Sequence, residues 1–342
     1  MKIMVQTPQV EKSSKTANIE VQDEDSGGIL GVSFLYDALV SEIHLFWRFS
    51  WRDFSMTVIP GSTYTLAALR SLSPTELPAP SLFIPPLIRS VIYFIFFVYS
   101  FNLANQINGL AEDRINKPDR PLAAGLVSVR GAYIRWYLIT FVLLTAGYAW
   151  GIPKWALTWV GLTIYTSWCG GDKHWATKNL FFMSTGAVAI LAPRWELGIG
   201  TIPPLVWRSI IQLGTILSVV AHLQDMRDVA GDTAAGRKTL PIALGSDFPW
   251  IMASIVALCP FVGWKLQVLH SKVGNEMVWY SGALLSLATF YVAYRVLVGN
   301  EKNYHHKTYM VCGLFCPGLK LILVLVLDVY LLWMLAVPVL FP

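Results

Sequence analysis

The chain has 342 residues, 55% of them hydrophobic and only 14% charged, with a mean hydropathy of +0.52. That balance excludes an ordinary soluble domain and a disordered protein and fits an all-α polytopic membrane protein embedded in the lipid bilayer. A formal charge of +5 is too small to argue for nucleic acid, and Cys169, Cys259, Cys312 and Cys316 show no zinc-ligand pattern with nearby histidines.

Residues 1–28 are polar and mixed in charge, with no apolar core of a signal peptide. They read as a disordered cytosolic tail, and residues 29–342 as a single transmembrane domain. Residues 35–54 mix Trp47, Phe49, Trp51 and Phe54 with Arg48, Arg52 and Asp53, which suits an interfacial segment. Apolar runs of membrane-spanning length then recur at 54–72, 82–104, 128–149, 153–168, 176–193, 203–223, 247–268, 278–298 and 319–340. The expectation is about nine transmembrane helices. The fourth and fifth are the weakest, being short and interrupted by Gly170, Gly171 and Pro193.

The segments after the second, fourth, sixth and eighth runs carry most of the basic residues, among them Arg114, Lys117, Arg130, Arg227, Lys302 and Lys307. The opposite loops carry few, such as Lys154, Arg194, Lys265 and Lys272. By the positive-inside rule the basic side faces the cytosol. An active face that binds a polyanion would be basic for its own reasons, so part of this asymmetry has a second origin.

Two polar stretches lie on that side. In 225–245, DMRDVAGDTAAGRKTLPIALG, the carboxylates Asp225, Asp228 and Asp232 stand at i, i+3 and i+7, one face of a helix leaving the sixth run. Three unpaired acids there would repel one another and resist burial, so a divalent cation is their natural partner. Arg237 and Lys238 follow closely, and metal beside fixed positive charge suggests a polyphosphate; Mg²⁺ is typically held by carboxylates together with substrate phosphates. In 102–125, NLANQINGLAEDRINKPDRPLAAG, Asn105, Gly109 and Asp113 form another stripe at i, i+4 and i+8, followed by a turn containing Arg120. An even number of runs separates the stretches, so both reach one cavity mouth.

Together these motifs resemble the UbiA superfamily of intramembrane prenyltransferases, and in particular its terpene-cyclase branch. The second stretch is similar to the pattern D-x-x-D-x-x-x-D followed by Gly-Arg-Lys-Thr-Leu-Pro, and Tyr165, Lys173, Lys178 and Asn179 match a third cytosolic loop. The resemblance implies nine helices around a central cavity, an isoprenoid diphosphate substrate, and Mg²⁺ held by Asn105, Asp113, Asp225, Asp228 and Asp232. Arg120, Lys173, Lys178, Arg237 and Lys238 would then bind the diphosphate. The first motif departs from the family, with Gln106 and Gly109 where two acids belong. That loss tilts the expectation from prenyl transfer to an aromatic acceptor toward cyclisation, with farnesyl diphosphate as the default substrate and a sesquiterpene as product. A cation transporter or a non-catalytic scaffold is the reading from another class.

Candidate aromatics for shielding a carbocation are Tyr99, Phe101, Tyr165 and Trp168. Asp328, inside the ninth apolar run, is an intramembrane carboxylate for which a structural partner is expected. An endoplasmic-reticulum membrane with the active face toward the cytosol completes the expectation.

Overall fold

The computed structural model describes residues 26–54, 57–71, 79–265 and 276–299. Among them the regular structure is helical, apart from one isolated backbone pairing between His174 and Lys238. The chain divides into two compact units, Met1–His44 and Leu45–Pro342. The described part of the first is the beginning of α1 (Ser26–Ser50), where Leu35, Leu39 and Ile43 expose an apolar stripe at i, i+4 and i+8.

In the second unit, α2 (Val58–Ser71) packs on α3 (Pro80–Asn108) and on α7 (Met183–Ile199). A short α4 (Leu110–Asn116) follows α3, and then α5 (Val129–Ala149) and α6 (Pro153–Trp168) pack back against it. A π-helical turn, Ala176–Phe182, leads into α7, which packs on α8 (Pro204–Val220). Then come α9 (His222–Ala234), α10 (Leu240–Leu244), α11 (Phe248–Lys265) and α12 (Glu276–Val298), the last two paired with each other. Proline opens α3, α6 and α8, where its fixed φ suits the first turn and its missing N–H has no intrahelical partner to lose.

Four helical stretches are long and apolar enough to cross a bilayer: Pro80–Asn108, Val129–Ala149, Pro204–Ala234 and Leu240–Val262. The expected count of nine is therefore not reached among the described residues. The runs at 54–72 and 153–168 do form helices, α2 and α6, but with 14 and 16 residues they fall short of the roughly 20 needed to span the core. In the eighth run the apolar portion narrows to Ser286–Val298. The ninth run lies outside the described residues, as do Cys312 and Cys316.

Pro193 does not end the fifth helix as expected. α7 continues to Ile199, because a proline inside a well-packed helix removes one hydrogen bond without preventing the next turn. Arg194 is consequently a helix residue with no exposed surface rather than part of a loop.

The main core joins α2, α3, α5, α6, α7 and α8 and is dominated by aromatic rings, among them Tyr93, Phe94, Phe97, Trp159 and Trp195. Separate clusters fasten α9 to α11 and α12 through Leu223, Phe248, Met252 and Val296, and the end of α3 to Phe49, Leu122 and Trp136. Leu143 on α5 is fully buried in the main core. Leu143→Ala should destabilise the protein by about 2–5 kcal/mol, read as a lower midpoint in denaturant unfolding of the purified chain.

Candidate active site

α8 runs almost without interruption into α9, so a membrane-length apolar helix delivers the acidic motif directly. Asp225, Asp228 and Asp232 are all buried on α9, as their spacing requires. On the opposite side α3 hands over to α4 at Gly109, where the ladder continues: the Gly109 amide donates to the Asn105 carbonyl and the Asp113 amide to the Gly109 carbonyl, both at 2.8 Å. Asn105, Gly109 and Asp113 therefore follow one helical track despite the junction.

α4 and α9 are pressed together at Gly231. A Cβ there would lie 2.2 Å from the Asn116 amide nitrogen and 2.9 Å from Glu112 Cγ, distances that only glycine permits. Across this contact Asn116 Nδ2 donates to the Asp228 carbonyl at 3.1 Å, and Lys117 Nζ lies 3.1 Å from Asp228 Oδ2. Asp113 is clamped by Arg120, whose Nη1 is 2.9 Å from both carboxylate oxygens.

The π-helical turn supplies the third side. Its wider winding lets two consecutive residues reach one carboxylate: Lys178 Nζ lies 2.7 Å from Asp225 Oδ1, and Asn179 Nδ2 donates to Asp225 Oδ2 at 2.7 Å. Asn179 Nδ2 is also 2.8 Å from His222 Nδ1; with that nitrogen as acceptor, the neutral ring carries its proton on Nε2. The fourth side is Arg237, which donates to Asp232 Oδ1 at 3.1 Å, to Asp172 Oδ2 at 2.6 and 3.0 Å, and to Glu112 Oε2. Its segment is registered by a backbone pairing in which the Lys238 amide donates to the Lys173 carbonyl at 2.7 Å and the Trp175 amide to the Lys238 carbonyl at 2.9 Å.

Burial works against the Arg237 charge, but Glu112 and then Asp172 outweigh it and hold its pKa above the usual arginine value. Burial pushes the Asp113 carboxyl up, with Arg120 offsetting only part of the rise. Lys117 is pushed down by burial and then by Arg120, against the pull of Asp228.

Six buried carboxylates, Glu112, Asp113, Asp172, Asp225, Asp228 and Asp232, thus face five cations, Lys117, Arg120, Lys178, Arg227 and Arg237. Among the described residues no three acidic, histidine or cysteine side chains converge as a ready metal cage. The donor set nonetheless suits a divalent cation. Asp232 Oδ2 is buried without a hydrogen bond, its nearest cation being Lys178 Nζ at 3.8 Å, and the network holds one carboxylate more than it has cations.

Of the diphosphate ligands expected from sequence, Arg120, Lys178 and Arg237 lie in this network. Lys173 and Lys238 do not: their backbones pair but their side chains are exposed at the rim. Gln106 is buried and its Oε1 accepts from the Leu122 amide at 3.5 Å, so it supports the following loop rather than facing the acids. Glu112, Asp172, Lys117, Asn116 and His222 had not been singled out as site residues. Glu112 carried a signal, being adjacent to Asp113, whereas Asp172 meets Arg237 across 65 positions of sequence.

Of the four candidate aromatics, only Phe101 joins an inward column. It stacks on Phe182 at 5.4 Å and reaches Trp159 at 5.4 Å; Trp159 stacks on Phe97 at 3.7 Å, and Phe97 meets Phe94 at 5.2 Å. Tyr99 packs against Phe46 and Phe49, Trp168 against Trp136, and Tyr165 edge-on to Phe181. An open cavity of about 680 Å³ between α6 and the π-helical turn, lined by Gly161, Leu162, Tyr165 and Thr177, includes no member of the charge network.

Gly231→Ala should leave the helices formed but push α4 from α9, lowering turnover at least about tenfold through misplaced catalytic groups; steady-state diphosphate release, with circular dichroism as the folding control, checks it.

The UbiA prenyltransferase family model matches residues 57–316. The chain is 34% identical over 278 residues to "Diterpene cyclase eriG" of Hericium erinaceus, covering 81% of this chain and 86% of that protein. It is 33% identical over 282 residues to "Polyprenyl transferase eriF" of the same organism, covering 81% and 92%. A UbiA homolog from Archaeoglobus fulgidus, solved with GPP and Mg²⁺, superposes with a TM-score of 0.57 at 14% identity, over 86% of this chain and 99% of that one. Helical fold, paired motifs and similarity agree: the chain belongs to the UbiA prenyltransferase family.

Proposed function

We propose that this chain ionises a linear isoprenoid diphosphate at the α4–α9 site and cyclises the resulting allylic cation. The observation that carries the reading is the convergence of two acidic helices and three buried basic side chains at the head of an aromatic column. Residues from α4, α9, the π-helical turn and the Arg237 segment are held there by direct bonds.

The charge excess decides what can bind. An anionic diphosphate deepens a negative imbalance, so added cationic charge must enter with it. Mg²⁺, held by Asp225, Asp228, Asp232, Asp113 and Asn105, would supply neutralisation of the departing diphosphate. Lys178, Arg237 and Arg120, already fixed by their carboxylates, aim positive charge at the leaving group without reorganising, while Lys173 and Lys238 stand at the exposed rim. The C–O bond breaks, the electron pair leaves with the diphosphate, a distal double bond closes on the cation, and proton loss to a diphosphate oxygen yields the hydrocarbon. Phe101, Phe182, Trp159, Phe97 and Phe94 form an apolar wall that excludes water and offers ring faces to positive charge.

The altered first motif supports cyclisation over transfer. Gly109 brings no ligand, and a Cβ there would stand 3.7 Å from Glu112 Oε2, so Glu112 already places a carboxylate next to the position of the missing acid. Farnesyl diphosphate is the substrate expected from sequence; geranylgeranyl diphosphate joins it because one relative is named a diterpene cyclase. The similarity to a polyprenyl transferase favours the second reading, transfer to an aromatic acceptor. The proposed setting is the endoplasmic-reticulum membrane with this site toward the cytosol.

Microsomes containing the chain, given either diphosphate and Mg²⁺ without an acceptor, should form a cyclic hydrocarbon. Diphosphate release only after an aromatic acceptor is added would establish the transferase instead. Asp225→Ala or Asp232→Ala should lower release roughly a hundredfold or more, as measured by phosphate-coupled assay. Gly109→Asp, which sets a second acid beside Glu112, should change the metal dependence; an unchanged Mg²⁺ titration would show that position 109 does not face the metal.

A further inference from the structure

Arg194 takes no part in the charge network, and its surroundings are unusual for a cation. It is fully buried in α7, with its guanidinium over the Phe94 ring at 3.3 Å and Nη2 donating to the Thr57 carbonyl. It occupies space that exists only because residue 61 is glycine: a Cβ on Gly61 would fall 0.8 Å from Arg194 Nη1. Nε and Nη1 have no hydrogen-bond partner, and no carboxylate among the described residues bonds to them. Charges buried in a membrane bundle pair with one another or face water, and an uncompensated guanidinium strongly opposes folding.

The nearby acids are already engaged. Glu196, two positions along α7, accepts from Lys154 Nζ at 2.7 Å and Trp155 Nε1 at 2.8 Å. The carboxylates of the α4–α9 site are bound to the cations named above. Outside the described residues, most acids fall in polar stretches of sequence, at 11–25, 76 and 301. Asp328 does not; it stands alone inside the apolar run 319–340 and faces the same difficulty with the opposite sign.

Depth agrees. Phe94, under the guanidinium, precedes Asn102 by eight residues of α3, about 12 Å along the axis, and Asn102 donates to the Phe49 carbonyl at the level of the interfacial segment. A helix entered from that face at residue 319 would carry Asp328 about 14 Å inward.

We propose that Arg194 and Asp328 form an intramembrane ion pair that fixes the last apolar segment against the seam of α2, α3 and α7. The pairing is independent of which isoprenoid chemistry the site performs.

The full chain in lipid nanodiscs tests it. Arg194→Gln and Asp328→Asn should each lower the melting temperature by roughly 5 °C or more, and Arg194→Met combined with Asp328→Leu should recover at least about half of the loss. Additive losses, or an Asp328→Asn variant as stable as the parent, would overturn the pair. If a single variant fails to fold, carbodiimide labelling of the parent decides. An ion-paired Asp328 stays ionised and reacts at least about tenfold more slowly than in the detergent-unfolded chain, because the reagent requires the protonated acid. Labelling equally fast in both states, read by mass spectrometry of the C-terminal peptide, contradicts the proposal.

Discussion

Arg237 is the interaction on which the site depends. One guanidinium, buried among Glu112 of α4, Asp172 of the 169–175 loop and Asp232 of α9, ties together segments that share no local sequence. Each partner alone would be a costly buried charge; together they offset one another, and removal of any one leaves the others uncompensated. The close approach at Gly231 serves the same end, since α4 and α9 must nearly touch for carboxylates on both to share cations.

From this follows a division of labour along the bundle. The head of α3, with the π-helical turn and α9, concentrates charge in a balanced but slightly acidic network. Below it, α3, α6 and the start of α7 present stacked rings and few polar groups. Such an arrangement separates the charged half of an ionisation from its apolar half over a few helical turns, and it requires no soluble domain. Lys178 and Phe182 belong to the same π-helical turn, so a single local irregularity sets both the cation beside Asp225 and the first ring of the column.

Much of the site was legible in the sequence because helical periodicity is local. Asp225, Asp228 and Asp232 fall on one buried face because residues three and seven apart must, and Asn105 and Asp113 keep their track through Gly109. Pairings that close over long sequence distances were not legible. Asp172 and Glu112 meet Arg237 across 65 and 125 positions, and no local pattern announces them. Lys173 and Lys238 illustrate the converse: motif position placed them on the ligand, whereas the turn directs their backbones to each other and their side chains outward. Arg194 was assigned to a loop because proline usually closes a helix, yet packing against α2 carries α7 past Pro193. The span count suffered similarly, since short helices such as α2 and α6 are apolar in sequence without being of bilayer length.

The central claim is that anion and cation enter this site together, because its carboxylates outnumber its own cations. Calorimetric titration of the full chain with a non-ionisable thiolo analogue of farnesyl diphosphate, with and without Mg²⁺, tests this most directly. The account predicts tight analogue binding only when Mg²⁺ is present, and weak Mg²⁺ binding without the analogue. Equal affinity in the absence of Mg²⁺ would contradict it and leave the acidic residues as structural partners of their cations.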